Sequence, residues 1–480
     1  MLHYISNSIL MQISRPTILV IFGATGDVVA RKVIPSLYHL FRSNQLPAMF
    51  CVIGFSRREQ TTDAFRDYVR EMLEKHVSPI LETAHIDSFL ELFSYVRAEL
   101  DKPEDYTPLG EKLGFIDGEW RTCANKLFYL AVPPSLYNPI LNSLSVSRLT
   151  ESCGEEGSWT RVLVEKPIGT NQSTAEAIDE QLAKSFKEEQ IYRIEHYLAK
   201  EMVRNILAFR FRNDIFEPVW NANGIESIQI HLHETVGVEK RGAFYDSVGT
   251  LRDVGQNHLL QLLALIAMEK PSSLDPDAVR EARADILSHL KPISAIEMPL
   301  NTYRAQYNGY RDIVGVVPNS ETETYFRLKA EIDTPRWRGV PFILDAGKRI
   351  GDVKKGIVIT FKHPEPCLCP LEMHTKNRII ILMQPEEAIK IEFIAKKPGP
   401  TMEMESRTLD FLLRPKDSIA QYVEEYAQVL LDAVRGDQTL FVNTKELEAM
   451  WRFIDPIIDA WSRNEVPLEM YEPDTNEPTN

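Results

Sequence analysis

The sequence predicts two folded parts: an α/β domain on a parallel sheet over residues 1–195, and a larger α+β domain on a mainly antiparallel sheet over 196–470. Three observations predict this. At 480 residues the chain is too long for a single core and divides into domains. In its first part, unbroken apolar and β-branched runs alternate with helical patterns, as strands buried on both faces do. In its second part, apolar and polar residues alternate within the runs, as in strands with one wet face. Residues 471–480 are polar and read as a disordered tail.

Thr17–Phe22 is the first buried strand, and it ends in Gly23-Ala24-Thr25-Gly26-Asp27. An apolar helical pattern follows through Val33, Leu37, Leu40 and Phe41. Strand, glycine turn and helix is how a dinucleotide pyrophosphate is held: the glycines let backbone approach phosphate, and the helix N-terminus supplies free N–H groups. The spacing is Gly-x-x-Gly rather than the full Gly-x-Gly-x-x-Gly, a weak signal alone. The second strand, Phe50–Phe55, ends in Ser56-Arg57-Arg58. An acidic residue there would bind the ribose hydroxyl of NAD, whereas an arginine accommodates the 2′-phosphate of NADP. A Rossmann-type domain for NADP is therefore expected.

Residues 61–120 read as helical and polar, with a loop near Pro103 and Pro108. Strands resume at 126–132 and 161–164, the latter running into Glu165-Lys166-Pro167. A lysine at the carboxyl end of a parallel strand sits where ligands bind in open α/β sheets. The stretch 190–200 packs Arg193, Glu195, His196, Tyr197 and Lys200 closely together. His196 and Lys200, four apart, share one face of a helical turn and suit a dianionic phosphate, or else form a solvated face. Beyond 200, Ile225–His233 alternates, and Asp253–His258 leads into an apolar helix over 259–268. A histidine there is ordinarily a satisfied core residue. Strand patterns recur at 324–332, 356–361, 378–383 and 388–393, and amphipathic helices at 418–434 and 444–461.

Hydrophobic residues make up 44% and charged residues 26%, the balance of a soluble globular protein. The net charge of −15 argues against a nucleic-acid partner, because a phosphate backbone needs a basic face. Cys51, Cys123, Cys153, Cys367 and Cys369 are a sparse, odd set expected of a reducing compartment. Cys367 and Cys369, a Cys-x-Cys without a second ligand pair nearby, read as a loop rather than a metal site. No apolar run approaches membrane-spanning length, and Met1–Ser14 lacks the pattern of a signal peptide. A cytoplasmic protein without a membrane partner is expected.

The chain resembles the glucose-6-phosphate dehydrogenase family from about residue 17 to 465. The resemblance rests on Gly-Ala-Thr-Gly-Asp (23–27), Val-Glu-Lys-Pro-Ile-Gly (164–169), Arg-Ile-Glu-His-Tyr-Leu-Ala-Lys (193–200), Arg-Asp-Val-Gly-Gln-Asn-His (252–258) and Arg-Trp-Arg-Gly-Val-Pro-Phe-Ile-Leu-Asp-Ala-Gly-Lys (336–348). It implies oxidation of D-glucose 6-phosphate to 6-phosphogluconolactone with reduction of NADP, in the oxidative pentose phosphate route. It implies that His258 is the general base, Glu195 its orienting carboxylate, and Lys166 a lysine between cofactor and substrate. His196, Tyr197 and Lys200 match the phosphate cluster. Glu234 and Asp253 match sugar-hydroxyl ligands, Lys348 and Lys32 further substrate contacts, and Gln384 a weaker one. Gly23, Thr25, Gly26, Asp27, Arg57 and Tyr137 match the NADP side. No metal is implied, and a homodimer or homotetramer is.

Departures from the family pattern are specific. Glu195 stands where an aspartate is usual, and a carboxylate misplaced by about 1 Å costs up to about 100-fold in rate. The first motif lacks one lysine, and Ala199 replaces a glycine. Asp345 stands where an arginine helps bind a second, structural NADP in some members, which argues against that site here. A basic residue expected shortly after Lys348 falls on Val353 or, with a shift, on Lys354. Two other functions compete: an NADP-linked oxidoreductase of another sugar or polyol, which would give His196 and Lys200 no phosphate, and a non-catalytic NADPH or sugar-phosphate sensor, which would not need His258 and Lys166.

Overall fold

The computed structural model describes residues 15–77, 83–152, 154, 157–351, 354–363, 366, 375–384, 386–413, 424–476 and 478. Met1–Ser14, Cys153, Val353, Cys367 and Cys369 lie outside them. The chain forms two compact units. The first is Met1–Ala199 with Asp275–Arg280 and Tyr422–Thr444; the second is Lys200–Leu274, Glu281–Gln421 and Lys445–Asn480.

The first unit is built on β1 (Thr17–Phe22), β2 (Phe50–Ser56), β3 (Phe93–Arg97), β4 (Asn125–Leu130), β5 (Thr160–Val164) and β6 (Ile191–Ile194). These run parallel in the order β6-β5-β4-β1-β2-β3, with the short strand Phe441–Val442 antiparallel on the free edge of β6. The order reverses at β1, and the crevice beyond the carboxyl ends of β1 and β4 is where such sheets bind ligands. β1, β4 and β5 are buried along their whole length, as their apolar runs require. β3 and β6 are not evident in the sequence. β6 is only four residues long and carries a charged residue, so pairing with β5 rather than composition makes it a strand.

Residues 422–444, expected in the second domain, belong to the first unit, and buried guanidinium groups show why. Arg161 donates to the carbonyls of Ala433 at 2.6 Å and Val434 at 2.9 Å, at the end of the helix Glu425–Arg435. Arg193, 1% exposed, donates to Asp179 at 2.8 Å, Glu188 at 2.9 Å, the Val442 carbonyl at 3.3 Å and Thr444 Oγ1 at 3.1 Å. A buried charge must be paired or it destabilises the fold, and the returning segment supplies the acceptors. Cys51 is a free thiol pushed up to about 12 by burial, and Cys123 is disulfide-bonded, contrary to a wholly reduced set.

The second unit carries β7 (Ile225–His233), β8 (Thr302–Tyr307), β9 (Tyr325–Ala330), β10 (Phe342–Gly347), β11 (Lys355–Phe361), β12 (Arg378–Gln384), β13 (Ala388–Lys396) and β14 (Met404–Leu412). Their order is β14-β13-β12-β11-β7-β10-β9-β8, closed by the strand Leu468–Tyr471. Pairing is antiparallel except between β7 and β10 and between β8 and the closing strand. Register puts Phe326, Ala346 and Leu232 on one face and Arg327, Asp345 and His231 on the other. Against the first face lies a wide, π-type helix, Leu251–Leu259, continuing as the α-helix Leu260–Ala267. Trp220 and Trp337 donate their indole N–H groups to the carbonyls of Ile266 and Ala267, closing that helix.

The tail expected to be disordered is in part ordered. Tyr471 packs in a cluster with Tyr245, Tyr307, Tyr310 and Tyr325. Asp474 pairs with Arg349, and Thr475 bridges to Ile350. Polar composition hid an anchor that one buried aromatic and one ion pair supply. No described helix is long and apolar enough to cross a membrane.

Candidate active site

In the first unit, β1 ends in the glycine turn. Gly23 has φ +77, a left-handed conformation, and a Cβ there would strike the Ala131 carbonyl and Val132, so glycine is required. Its N–H donates to the Phe55 carbonyl at 2.9 Å, and Gly26 N–H donates back to the Gly23 carbonyl at 2.8 Å. Helical structure begins at Asp27, with Thr25 and Gly26 partly exposed and Asp27 and Val28 open to solvent. This open helix N-terminus after a glycine turn fits a dinucleotide pyrophosphate. Arg57 follows directly on β2 and is exposed, as is Lys32 on the helix side. Asp27 is engaged by Arg31 at 3.6 Å.

The end of β5 is held by tyrosines. Tyr129 bonds the Glu165 carboxylate. Tyr137 donates to the Glu165 carbonyl at 2.8 Å. Burial pushes the Glu165 carboxyl above its ordinary range, against the hydrogen bonds of Tyr129 and Tyr426 and the charge of Lys166. Tyr137, expected on the cofactor side, is 0% exposed, and its hydroxyl holds the Glu165 carbonyl next to Lys166. Lys166 is half-buried, and the Lys166–Pro167 bond is cis.

The stretch 195–199 is not the expected helical turn. β6 ends at Ile194, and two tight turns follow, Leu198 N–H to the Glu195 carbonyl at 3.0 Å and Ala199 N–H to the His196 carbonyl at 3.2 Å. Glu195, 2% exposed, accepts the Tyr197 N–H at 2.9 Å. His196 and Tyr197 stay partly exposed, with the His196 ring stacked 6.2 Å from Tyr426. Tyr426 arrives on the returning segment, more than 220 residues downstream, and no motif marked it.

In the second unit, Lys200 caps the helix Glu201–Phe211. Glu234 follows β7 and Lys348 follows β10, and because these strands are parallel neighbours the two side chains meet as an ion pair. Lys355, at the start of β11, lies 3.8 Å from Glu234 and donates to Gln384 at 3.3 Å. Burial, and then the charges of Lys200 and Lys348, push the Lys355 ammonium below the usual lysine range, while Glu234 opposes. Lys200, Lys348, Lys355, Glu234 and Gln384 are thus brought together. A basic residue was expected after Lys348 at Val353 or Lys354; it is the next residue, Lys355, that lies beside Glu234.

Asp253 and His258 sit in the wide helix Leu251–Leu259. Five residues apart, they would diverge by about 140° on an α-helix. The wider i→i+5 winding of a π-helix narrows that divergence and brings the two residues toward a shared side, and such helices mark functional sites. The helix starts after Gly249, at φ +74, where a Cβ would meet the Glu323 carboxylate. Glu323 accepts the Leu251 N–H at 2.9 Å. His258 is 3% exposed, and its N–H donates to Asn257 Oδ1 at 2.6 Å.

Residues 20–205 match the glucose-6-phosphate dehydrogenase NAD binding domain, and residues 207–480 the C-terminal domain of the same family. The glucose-6-phosphate 1-dehydrogenase of Aggregatibacter actinomycetemcomitans is 40% identical over 452 residues, 92% of this chain and 90% of its own. A solved glucose-6-phosphate dehydrogenase in complex with its substrate glucose-6-phosphate has a TM-score of 0.90 at 32% identity, covering 98% of this chain and 96% of that one. The glucose-6-phosphate 1-dehydrogenase of Mycobacterium avium has a TM-score of 0.83 at 30% identity, covering 96% of each chain. With both of its parts matched and that identity sustained over nearly its whole length, the chain belongs to the glucose-6-phosphate dehydrogenase family.

Proposed function

We propose that the chain is a glucose-6-phosphate dehydrogenase that oxidises D-glucose 6-phosphate to 6-phosphogluconolactone and uses NADP. The observation that carries this beyond family membership is the group Lys200, Lys348 and Lys355 around Glu234, cationic donors for a phosphorylated sugar with a carboxylate for its hydroxyls. Exposed Arg57 at the end of β2, where an acidic residue would favour NAD, supports NADP.

A nicotinamide bound at the end of the first unit's sheet would supply the acceptor for the hydride leaving C1 of the sugar. His258 removes the proton of the C1 hydroxyl onto an imidazole nitrogen, the side chain most often used as a general base. Glu195 orients that imidazole and offsets its charge. Lys166 lies between cofactor and substrate. His196, Tyr197, Lys200 and Lys355 hold the phosphate; Glu234, Asp253 and Lys348 hold hydroxyls, with Gln384 and Lys32 as further contacts. Gly23, Thr25, Gly26 and Asp27 receive the pyrophosphate. A homodimer or homotetramer in the cytoplasm completes the reading, in keeping with the 36% identical Arabidopsis thaliana relative named cytoplasmic.

Lys200→Ala tests the phosphate assignment. Losing a charged hydrogen bond costs about 1.5–3 kcal/mol, so KM for glucose 6-phosphate rises roughly 10- to 100-fold while that for glucose is little changed. An equal effect on both sugars removes Lys200 from the phosphate site.

A further inference from the structure

The second sheet carries a cluster that the dehydrogenase reading leaves unused. On the face turned away from the helix Leu251–Leu259, register sets Arg327, Asp345, His231 and Gly356 in one row across β9, β10, β7 and β11. His233, two residues beyond His231 on β7, points the same way. Asp345 Oδ1 lies 2.8 Å from His231 Nδ1 and 2.6 Å from His233 Nε2. One potential ligand atom from each of the three residues lies within 4.8 Å of the others. The side chains of His233 and Asp345 are fully buried, and that of His231 is 10% exposed. Gly356 adds no side chain to the row, and a cavity of about 650 Å³ opens beside it, lined by His231, Asp345, Arg327, Lys354 and Arg378 among others.

Two imidazoles at alternate positions of one strand, with a carboxylate opposite on the next, make a donor set for zinc-class divalent ions. Neighbouring strands about 4.8 Å apart set the right span. Around an ion with bonds of about 2.0–2.1 Å, tetrahedral donors stand about 3.3 Å apart, so the Asp345 oxygen needs to draw back from the two imidazole nitrogens by about 0.5–0.7 Å. Three features favour loading. In the empty site His233 Nε2–H donates to Asp345, and His233 Nδ1, which has no hydrogen-bond partner, is open to carry the ring proton once an ion displaces it from Nε2. Arg327 approaches the other carboxylate oxygen, Oδ2, at 3.6 Å, which leaves Oδ1 for the ion. The cavity has room for a water as a remaining ligand.

We propose that His231, His233 and Asp345 bind a divalent transition-metal ion of the zinc class, contrary to the expectation of no metal. The ion clamps β7 to β10, the two strands that end at Glu234 and Lys348. It takes no part in the proposed hydride transfer, so the site stands or falls independently of the dehydrogenase reading.

The test uses the full chain, stripped with a chelator and titrated with zinc by calorimetry, and with cobalt(II) by visible absorption. The expected result is a single equivalent bound per chain, a raised unfolding temperature, and cobalt ligand-field bands. Affinity falls about 100-fold or more in His231→Gln and in Asp345→Asn. No uptake at micromolar zinc, or equal uptake by the wild type and a folded variant, overturns the proposal. If Asp345→Asn does not fold, His231→Gln, at the least buried of the three positions, decides the outcome alone.

Discussion

At the scale of single residues, the account rests on His258 as base and on the lysines around Glu234. His258→Asn keeps a polar group of similar size but cannot accept the proton. Turnover is expected to fall by roughly 10²–10⁴-fold with KM for glucose 6-phosphate little changed. Steady-state kinetics on the folded variant check this, and a raised KM with turnover retained removes His258 from the role. Lys355 makes a pH prediction. Its ammonium is held below the usual lysine range by burial and by Lys200 and Lys348, so on raising the pH it loses its charge before an ordinary lysine. KM for glucose 6-phosphate therefore rises at a lower pH in the wild type than in Lys355→Arg, whose guanidinium stays charged. Identical KM–pH profiles contradict a phosphate role for Lys355. Lys355 was not legible because no motif surrounds it and only the pairing of β11 with β7 brings it beside Glu234, whereas Lys348 stood out because its motif is long.

At the scale of elements, the strand–glycine–helix unit was legible because its demands are local: a buried run, a left-handed glycine, an open helix N-terminus. The apolar helix from residue 259 was legible, but the wide helix Leu251–Leu259 that leads into it was not. Its winding is imposed from outside, by Gly249 at its entry and by Glu323, which takes the Leu251 N–H. Gly249→Ala forces a side chain into a positive φ and against the Glu323 carboxylate. Such a conformation costs about 1–3 kcal/mol, and the clash adds to it. Denaturant unfolding is expected to show that loss, and activity to fall with it, because Asp253 and His258 lose their common face. Unchanged stability and activity argue against Gly249 as the device that sets the wide helix. The strand β6 was missed for a related reason: four residues with an arginine among them become a strand only by pairing with β5.

At the scale of the whole molecule, two units were legible from the change of strand texture near residue 200, and their true division was not. Segments distant in sequence return to the first unit to satisfy charges buried there. Arg193 binds Asp179, Glu188, Val442 and Thr444 at once. Arg193→Met leaves the buried Asp179 carboxylate without its cation, and a loss of about 3–5 kcal/mol is expected from denaturant unfolding. A loss below about 1 kcal/mol refutes the claim that this network stitches the returning segment to β6. The ordered part of the tail follows the same logic, since Tyr471 finds its cluster only in the folded second unit.

The most direct test of the central claim is the initial rate of nicotinamide reduction by the folded chain with glucose 6-phosphate. NADP and NAD are run in parallel, with unphosphorylated glucose as the control. The account predicts rapid reduction that requires the phosphate and is faster with NADP. No turnover with glucose 6-phosphate, or equal rates with glucose, would contradict it.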